Sequence, residues 1–201
     1  MADISVASFA TIVVTLFVAE LTDKDALLLL AISTKVRVRL AFAAAATAFA
    51  TTTTIIIAAG SLIVAVVPVS WVRVAGGVVM LGYGLWEARG LIGEKEVEKQ
   101  ESRIARSGSQ WRVFLTLVAS LALLDLAGDA TEVLTVVLVA NYGSPIFVFS
   151  SVCVGLFSAA AVEATLGSKL GRLLTPRRLQ VGSAVIFILL GLFITFFGSL
   201  W

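Results

Sequence analysis

The chain contains no histidine, one cysteine, two methionines and three prolines among its 201 residues. Without histidine it lacks the commonest transition-metal ligand, and the single Cys153 cannot form an internal disulfide. Charged residues make up only 14% and hydrophobic residues 59% of the chain. Soluble domains average about 25% charged and about 45–50% apolar residues. The composition therefore excludes a soluble domain and indicates an integral membrane protein.

Long apolar runs predict six membrane-spanning helices, because a span needs about 20 residues and the chain has room for six of them. The predicted helices cover about 5–33, 38–67, 71–91, 111–141, 145–168 and 177–199. Pro68 and Pro176 mark two of the boundaries. We predict an all-α membrane protein of six transmembrane helices.

Basic residues concentrate in three of the predicted loops, all on one side of a six-span protein. They are Lys35, Arg37, Arg39, Arg89, Lys95, Lys99, Arg103, Arg106, Arg112, Lys169, Arg172, Arg177 and Arg178. The opposite side carries only Arg73. The positive-inside rule then predicts cytoplasmic basic loops and both termini outside. We expect residence in a prokaryotic plasma membrane.

The two halves of the chain follow the same plan. Residues 1–91 and 111–201 each contain a long acidic helix and two further helices, and the charged segment 92–110 joins them as a cytoplasmic linker. Since each half has an odd number of spans, the two must lie in the membrane with opposite orientation. Such inverted three-helix repeats are typical of transporters that bind ions at the midplane.

Two of the predicted helices carry acids at bilayer depth, where a charge costs roughly 2.5–3.5 kcal/mol. The first cluster contains Glu20, Asp23 and Asp25, with Lys24 among them. The second contains Asp125, Asp129 and Glu132, spaced i, i+4, i+7 on one helix face. Local unwinding at Thr22 or Gly128 would bring further groups together. Glu163 is another intramembrane acid, for which a structural and a functional role are both open.

One lysine cannot neutralise six carboxylates, so the clusters need protons or bound cations. Carboxylates, the hydroxyls of Thr22 and Thr131 and backbone carbonyls are hard oxygen donors, which suit Ca²⁺, Mn²⁺ or Mg²⁺. Cu⁺ and Zn²⁺ more often recruit Cys, Met or His. Carboxylates at low dielectric also bind protons more readily. Competition between a divalent ion and protons, with alternating access, would give exchange.

The segments ELTDKD, residues 20–25, and AGDATE, residues 127–132, resemble degenerate copies of the motif E-x-G-D-[KR]-[TS]. That motif occurs twice in the calcium/cation antiporter-2 family, which includes Golgi calcium/manganese transporters and bacterial manganese exporters of the lysine-exporter superfamily. The resemblance covers the whole chain. It implies two inverted three-helix repeats, exchange of Mn²⁺ or Ca²⁺ for protons, and motif acids as ion ligands.

The first copy is the better match. Glu20, Asp23 and Lys24 agree with the motif, while Thr22 and Asp25 replace its glycine and its hydroxyl residue. The resemblance therefore implies that Glu20 and Asp23 bind the ion.

The second copy departs further from the motif. Its matching residues are Gly128, Asp129 and Thr131. Ala130 replaces the basic residue, and Leu126 stands where glutamate is expected. Asp125, one residue earlier, is the substitute acid, and Glu132 adds a carboxylate after the motif.

The sequence thus predicts a secondary transporter that exports Mn²⁺ or Ca²⁺ from the cytoplasm in exchange for H⁺. The midplane ligands would be Glu20, Asp23, Asp125 and Asp129, supported by Asp25, Thr131 and Glu132, with Lys24 as counter-charge. The alternatives are an exporter of amino acids or other small molecules from the same superfamily, and a non-transporting membrane assembly factor. We expect no enzyme activity, no cofactor besides the transported ion and no nucleic-acid partner.

Overall fold

The computed structural model describes residues 3–21, 23–88, 104, 109–126, 130–170, 185 and 188–195. Its helices are α1 (Val6–Glu20), α2 (Lys24–Ser33), α3 (Val38–Val66), α4 (Val69–Ala88), α5 (Gln110–Leu126), α6 (Ala130–Tyr142) and α7 (Pro145–Leu170). Residues 188–195 are also helical. No strand occurs in these ranges, which confirms the all-α class for the described part of the chain.

The candidate spans number three to five within the described residues. Val38–Val66, Val69–Trp86 and Pro145–Gly167 are long and apolar enough to cross a membrane, and two bent helix pairs bring the number to five. These bounds agree with the predictions for the second, third and fifth helices. The predicted linker, 92–110, and the predicted sixth helix, 177–199, lie largely outside the described residues.

Each of the two acidic segments, predicted as one helix that could unwind locally at Thr22 or Gly128, consists of two helices in the structure. The helix predicted over 5–33 is α1 and α2, which meet at 69°, and the helix predicted over 111–141 is α5 and α6, which meet at 66°. At the first break the amide of Asp23 donates to the carbonyl of Glu20 over 3.0 Å, which closes a turn instead of continuing the helix. Irregular backbone at bilayer depth is tolerated where protein buries it.

The long helices α3 and α7 pack against the two broken pairs. α7 lies along both α1 and α2, and α3 lies along both α5 and α6. The two long helices also pack against each other, which places them at the centre of the bundle. Each broken pair is therefore held by a long helix from the other half of the chain.

Two glycines allow α7 to approach the first broken pair closely. A Cβ atom on Gly155 would lie 2.9 Å from the carbonyl oxygen of Val13 in α1. A Cβ atom on Gly167 would lie 2.5 Å from the carbonyl oxygen of Leu30 in α2. Any larger residue would push the backbones apart, as at the small-residue contacts of membrane helices. The contacts fix α7 against both sides of the break.

The remaining polar side chains of the helices are compatible with a bilayer. Hydroxyls on α3 and α7, including those of Thr52 and Ser151, donate to carbonyls of their own helix, which satisfies them without water. On the outer surface of α3, Leu62 and Val66 are 73% and 81% exposed. Large apolar side chains exposed along apolar helices are expected to face lipid.

Candidate functional site

The first break places three carboxylates in the protein interior. Glu20 is the last residue of α1, Asp23 lies between the helices, and Asp25 is the second residue of α2. Their exposures are 1%, 0% and 0%. All three predicted ligands of the first motif are therefore shielded from solvent and lipid.

The helix ends give these carboxylates different electrostatic environments. Glu20 lies at the C-terminal end of α1, where backbone carbonyls carry partial negative charge, and Asp25 lies in the first turn of α2, where amides carry partial positive charge. Carbonyls and acids at a half-helix C-terminus attract cations. Asp25 is stabilised as an anion by its own helix, whereas Glu20 gains more from a bound cation.

The second break repeats this arrangement with other residues. Asp125 lies in the last turn of α5 and is 4% exposed, and Thr131 and Glu132 lie in the first turn of α6. Thr131 is 3% exposed and Glu132 is half-buried. The carbonyl of Thr131 accepts the Thr135 hydroxyl at 2.8 Å. Each break therefore has an acid in the turn before it and an acid in the turn after it.

Three residues singled out from the sequence fall outside the described part. Asp129, the central acid of the second motif, and Thr22 lie outside the described residues. Lys24 begins α2, but its side chain is not among those described. Among the described residues, no three His, Cys, Asp or Glu side chains are grouped closely enough to hold a metal ion. The described acids thus form two separate groups, one at each break, which we call half-sites.

The half-helices of the two broken pairs contact each other. α1 touches α6, and α2 touches α5. Because α1 precedes the first break and α6 follows the second, both breaks lie between these two crosswise contacts. The acids of the two breaks do not merge into one cluster in the described part of the chain.

A cavity of about 110 Å³ lies among α1, α4, α6 and residues 188–195. Its lining includes Leu16, one turn before Glu20, and Leu134, three residues after Thr131. Residues three or four apart are neighbours on a helix surface. The cavity therefore comes within one helical turn of both breaks, on the side of the bundle where α1 and α6 touch.

The lining of this cavity includes a polar contact that sequence reasoning missed. The Arg73 side chain of α4 donates through Nε to Oδ1 of Asn141, near the end of α6. From the sequence, Arg73 was notable only as the single basic residue on the side of the membrane opposite the basic loops. The two partners are 68 residues apart, so no local pattern could pair them.

A family model described as "Divalent cation/proton antiporter GDT1" matches residues 8–94 and 111–199. The two matched stretches contain both breaks and cover most of the chain. No curated protein and no solved structure matches the chain significantly.

Proposed function

The chain belongs to the GDT1 family of divalent cation/proton antiporters, and from this premise we propose that it exports Mn²⁺ or Ca²⁺ from the cytoplasm in exchange for protons. The observation that carries the proposal is the pair of broken helices with acids on both sides of each break. The described acids are buried, except for the half-buried Glu132. Broken membrane helices whose ends meet at mid-depth are the usual ion sites of secondary transporters. The family favours this function over amino-acid export or an assembly role.

The proposed architecture is six spans in two inverted repeats, 1–91 and 111–201. This architecture is supported by the packing between the two halves. The long helix α7 of the second half packs against the first broken pair, and α3 of the first half packs against the second broken pair. The similar bends of 69° and 66° agree with it. In this arrangement the exposed residues Lys35, Arg37 and Arg39 lie on the cytoplasmic side.

The proposed ligands are Glu20 and Asp23 from the first break and Asp125 and Asp129 from the second, with support from Asp25, Thr131 and Glu132. Their hard oxygen atoms suit Mn²⁺ and Ca²⁺. When the ion leaves, the carboxylates need a replacement charge, because ionised acids without compensation are costly at this depth. Protons supply that charge, so release of one cation requires uptake of another. Lys24 would act as a tethered counter-charge in the empty first site.

The cavity beside Arg73 and Asn141 is the proposed outer half of the path. It lies on the α1–α6 side of the breaks, which is the outer side if the basic loops are cytoplasmic. Its lining reaches one helical turn from Glu20. Arg73 would repel cations from this route, so the contact between Arg73 and Asn141 would have to open during export.

Proteoliposomes containing the purified full chain would test the proposal, with a divalent-ion dye and a pH dye inside and Mn²⁺ and Ca²⁺ supplied in turn. We expect metal entry matched by proton exit. The Asp23→Asn variant should abolish both signals and remain folded, because it removes one carboxylate charge without changing size.

The matched control is Asp3→Asn, since Asp3 is an exposed acid remote from both breaks. We expect it to transport as the unchanged protein does. Near-normal transport by Asp23→Asn would contradict the site, and metal flux without proton movement would contradict antiport. Flux of neither ion by a folded protein would overturn the proposed substrate.

A further inference from the structure

Glu163 is a buried acid of α7 that the repeated motif does not include. The residue is 1% exposed, within the apolar span Pro145–Gly167. Neither of its carboxylate oxygens accepts a hydrogen bond from any residue in the described part of the chain. An ionised carboxylate is costly in such surroundings unless a positive charge compensates it. Its burial therefore calls for a cation.

The helical position of Glu163 turns it toward the first break. It follows Gly155, which contacts α1, by eight residues, and it precedes Gly167, which contacts α2, by four. At 100° per residue it lies about 80° from Gly155 and about 40° from Gly167, between the two contacts on one face. Side chains on a helix lean toward its N-terminus. The carboxylate of Glu163 thus leans from the α2 contact back toward the level of the break.

The elements packed around this face contribute mainly negative charge. The acids that they carry are Glu20, Asp23, Asp25 and Glu132. α3, the other neighbour of α7, carries no charged residue between positions 40 and 66, and its Arg39 is exposed in the first turn. The Lys24 side chain is not among the described side chains. Most of the charge that these elements carry near the first break is therefore negative.

We propose that Glu163 is a cation-binding residue of the transport path, at which a divalent ion or a proton neutralises the carboxylate beside the first break. The inference rests on the proposed antiport function. It gives α7 a direct part in transport in addition to its packing role. It also adds a carboxylate from a helix that carries neither copy of the motif.

Glu163→Gln tests the proposal, because it removes the charge and keeps the shape. Two assays in proteoliposomes separate the cations: exchange of metal for protons down a pH gradient, and exchange of labelled for unlabelled Mn²⁺ at equal pH. We expect Glu163→Gln to lower metal/proton exchange at least about tenfold. Loss of both exchanges would assign the divalent ion to Glu163, and loss of metal/proton exchange alone would assign the proton.

Two further variants keep the outcome interpretable. Glu163→Asp retains a carboxylate and should keep part of the activity, and Asp3→Asn should keep all of it. The melting temperature of Glu163→Gln should be unchanged or raised, because the neutral amide avoids burying a charge. A lowered melting temperature with normal exchange would show that Glu163 is a fixed structural counter-charge and overturn the proposal.

The result also distinguishes this inference from the proposed function. An active wild-type protein with fully active Glu163→Gln would overturn only the role of Glu163. An inactive wild-type protein, shown to be folded, would overturn the antiport function and the role of Glu163 with it.

Discussion

The two breaks have the same backbone plan and different charge. Each bends its span by a similar angle, 69° or 66°, and each has acids in the turns on both sides. The first contains three carboxylates and Lys24, whereas the second contains three carboxylates and no basic residue. The first is also more enclosed, since its acids are at most 1% exposed while Glu132 is half-buried.

From this difference we infer that the two half-sites contribute differently to proton binding and to metal release. A half-site with its own lysine can release a cation and keep part of its charge balanced. A half-site without one would rely more on protons or a metal ion, because uncompensated buried carboxylates are unfavourable. We therefore expect proton binding to depend more on the second break and metal release more on the first. The variants below test that comparison.

The largest expected effect comes from removing the substitute acid of the second break. Asp125→Asn should lower Mn²⁺ or Ca²⁺ flux by about 100-fold or more, because loss of even an outer-shell partner costs about 10–100-fold at metal sites. Metal uptake by proteoliposomes measures the effect, with Asp3→Asn as control. Normal flux would remove Asp125 from the site and leave Asp129 as the only motif acid of the second half.

The shifted position of this acid offers a sharper version of the same test. Asp125 stands one residue before the position where the motif has glutamate, which is Leu126 here. The double variant Asp125→Leu with Leu126→Glu restores the motif order. If the family register is what the site requires, flux should recover above that of Asp125→Asn. If this chain has adapted to its own register, the double variant should be as inactive as the single one.

Lys24→Ala should have a smaller effect, and it should strengthen Mn²⁺ binding, since it makes the first break resemble the second. Without the competing ammonium group, Mn²⁺ should bind about fivefold to tenfold more tightly, equivalent to about 1–1.4 kcal/mol. Exchange should slow because release becomes harder. Isothermal titration with Mn²⁺ measures the affinity, and Lys35→Ala, at an exposed lysine in the loop after α2, is the control. Weaker Mn²⁺ binding by Lys24→Ala would contradict the counter-charge role.

The sequence was informative where the signal is local. The apolar runs located α3, α4 and α7 to within a few residues, and the spacing of acids singled out Glu20, Asp23 and Asp125. The sequence identified Thr22 and Gly128 as positions where the helices could unwind, but it could not decide whether they do, because the apolar pattern continues across both positions. The half-helices on both sides of each break pack against α3 or α7 through contacts distant in sequence.

The contact between Arg73 and Asn141 escaped prediction for the same reason. Nothing in a single sequence pairs an arginine in one half with an asparagine 68 residues later. Glu163 could be predicted only in part. Its position in an apolar run is evident from the sequence. That it faces the first break depends on how α7 packs.

The smallest expected effect is on stability. It concerns how closely each long helix packs against its broken pair. A Cβ on Gly155 of α7 would lie 2.9 Å from the Val13 carbonyl, whereas one on Gly60 of α3 would lie 3.4 Å from Val136 of α6. Gly155→Ala must separate two backbones and should cost about 1–3 kcal/mol, visible as a lower melting temperature. Gly60→Ala needs only a small side-chain adjustment and should cost less.

The control for this pair is Gly82→Ala on α4, where an added Cβ meets no atom of the described residues within 4 Å. Alanine is the better helix former by about 1 kcal/mol in soluble helices, so this variant should be neutral or slightly more stable. Equal losses at Gly155 and Gly60 would mean that the two halves are packed alike and differ only in charge. A loss confined to Gly155 would mean that the first break is held more rigidly, as its deeper burial leads us to expect.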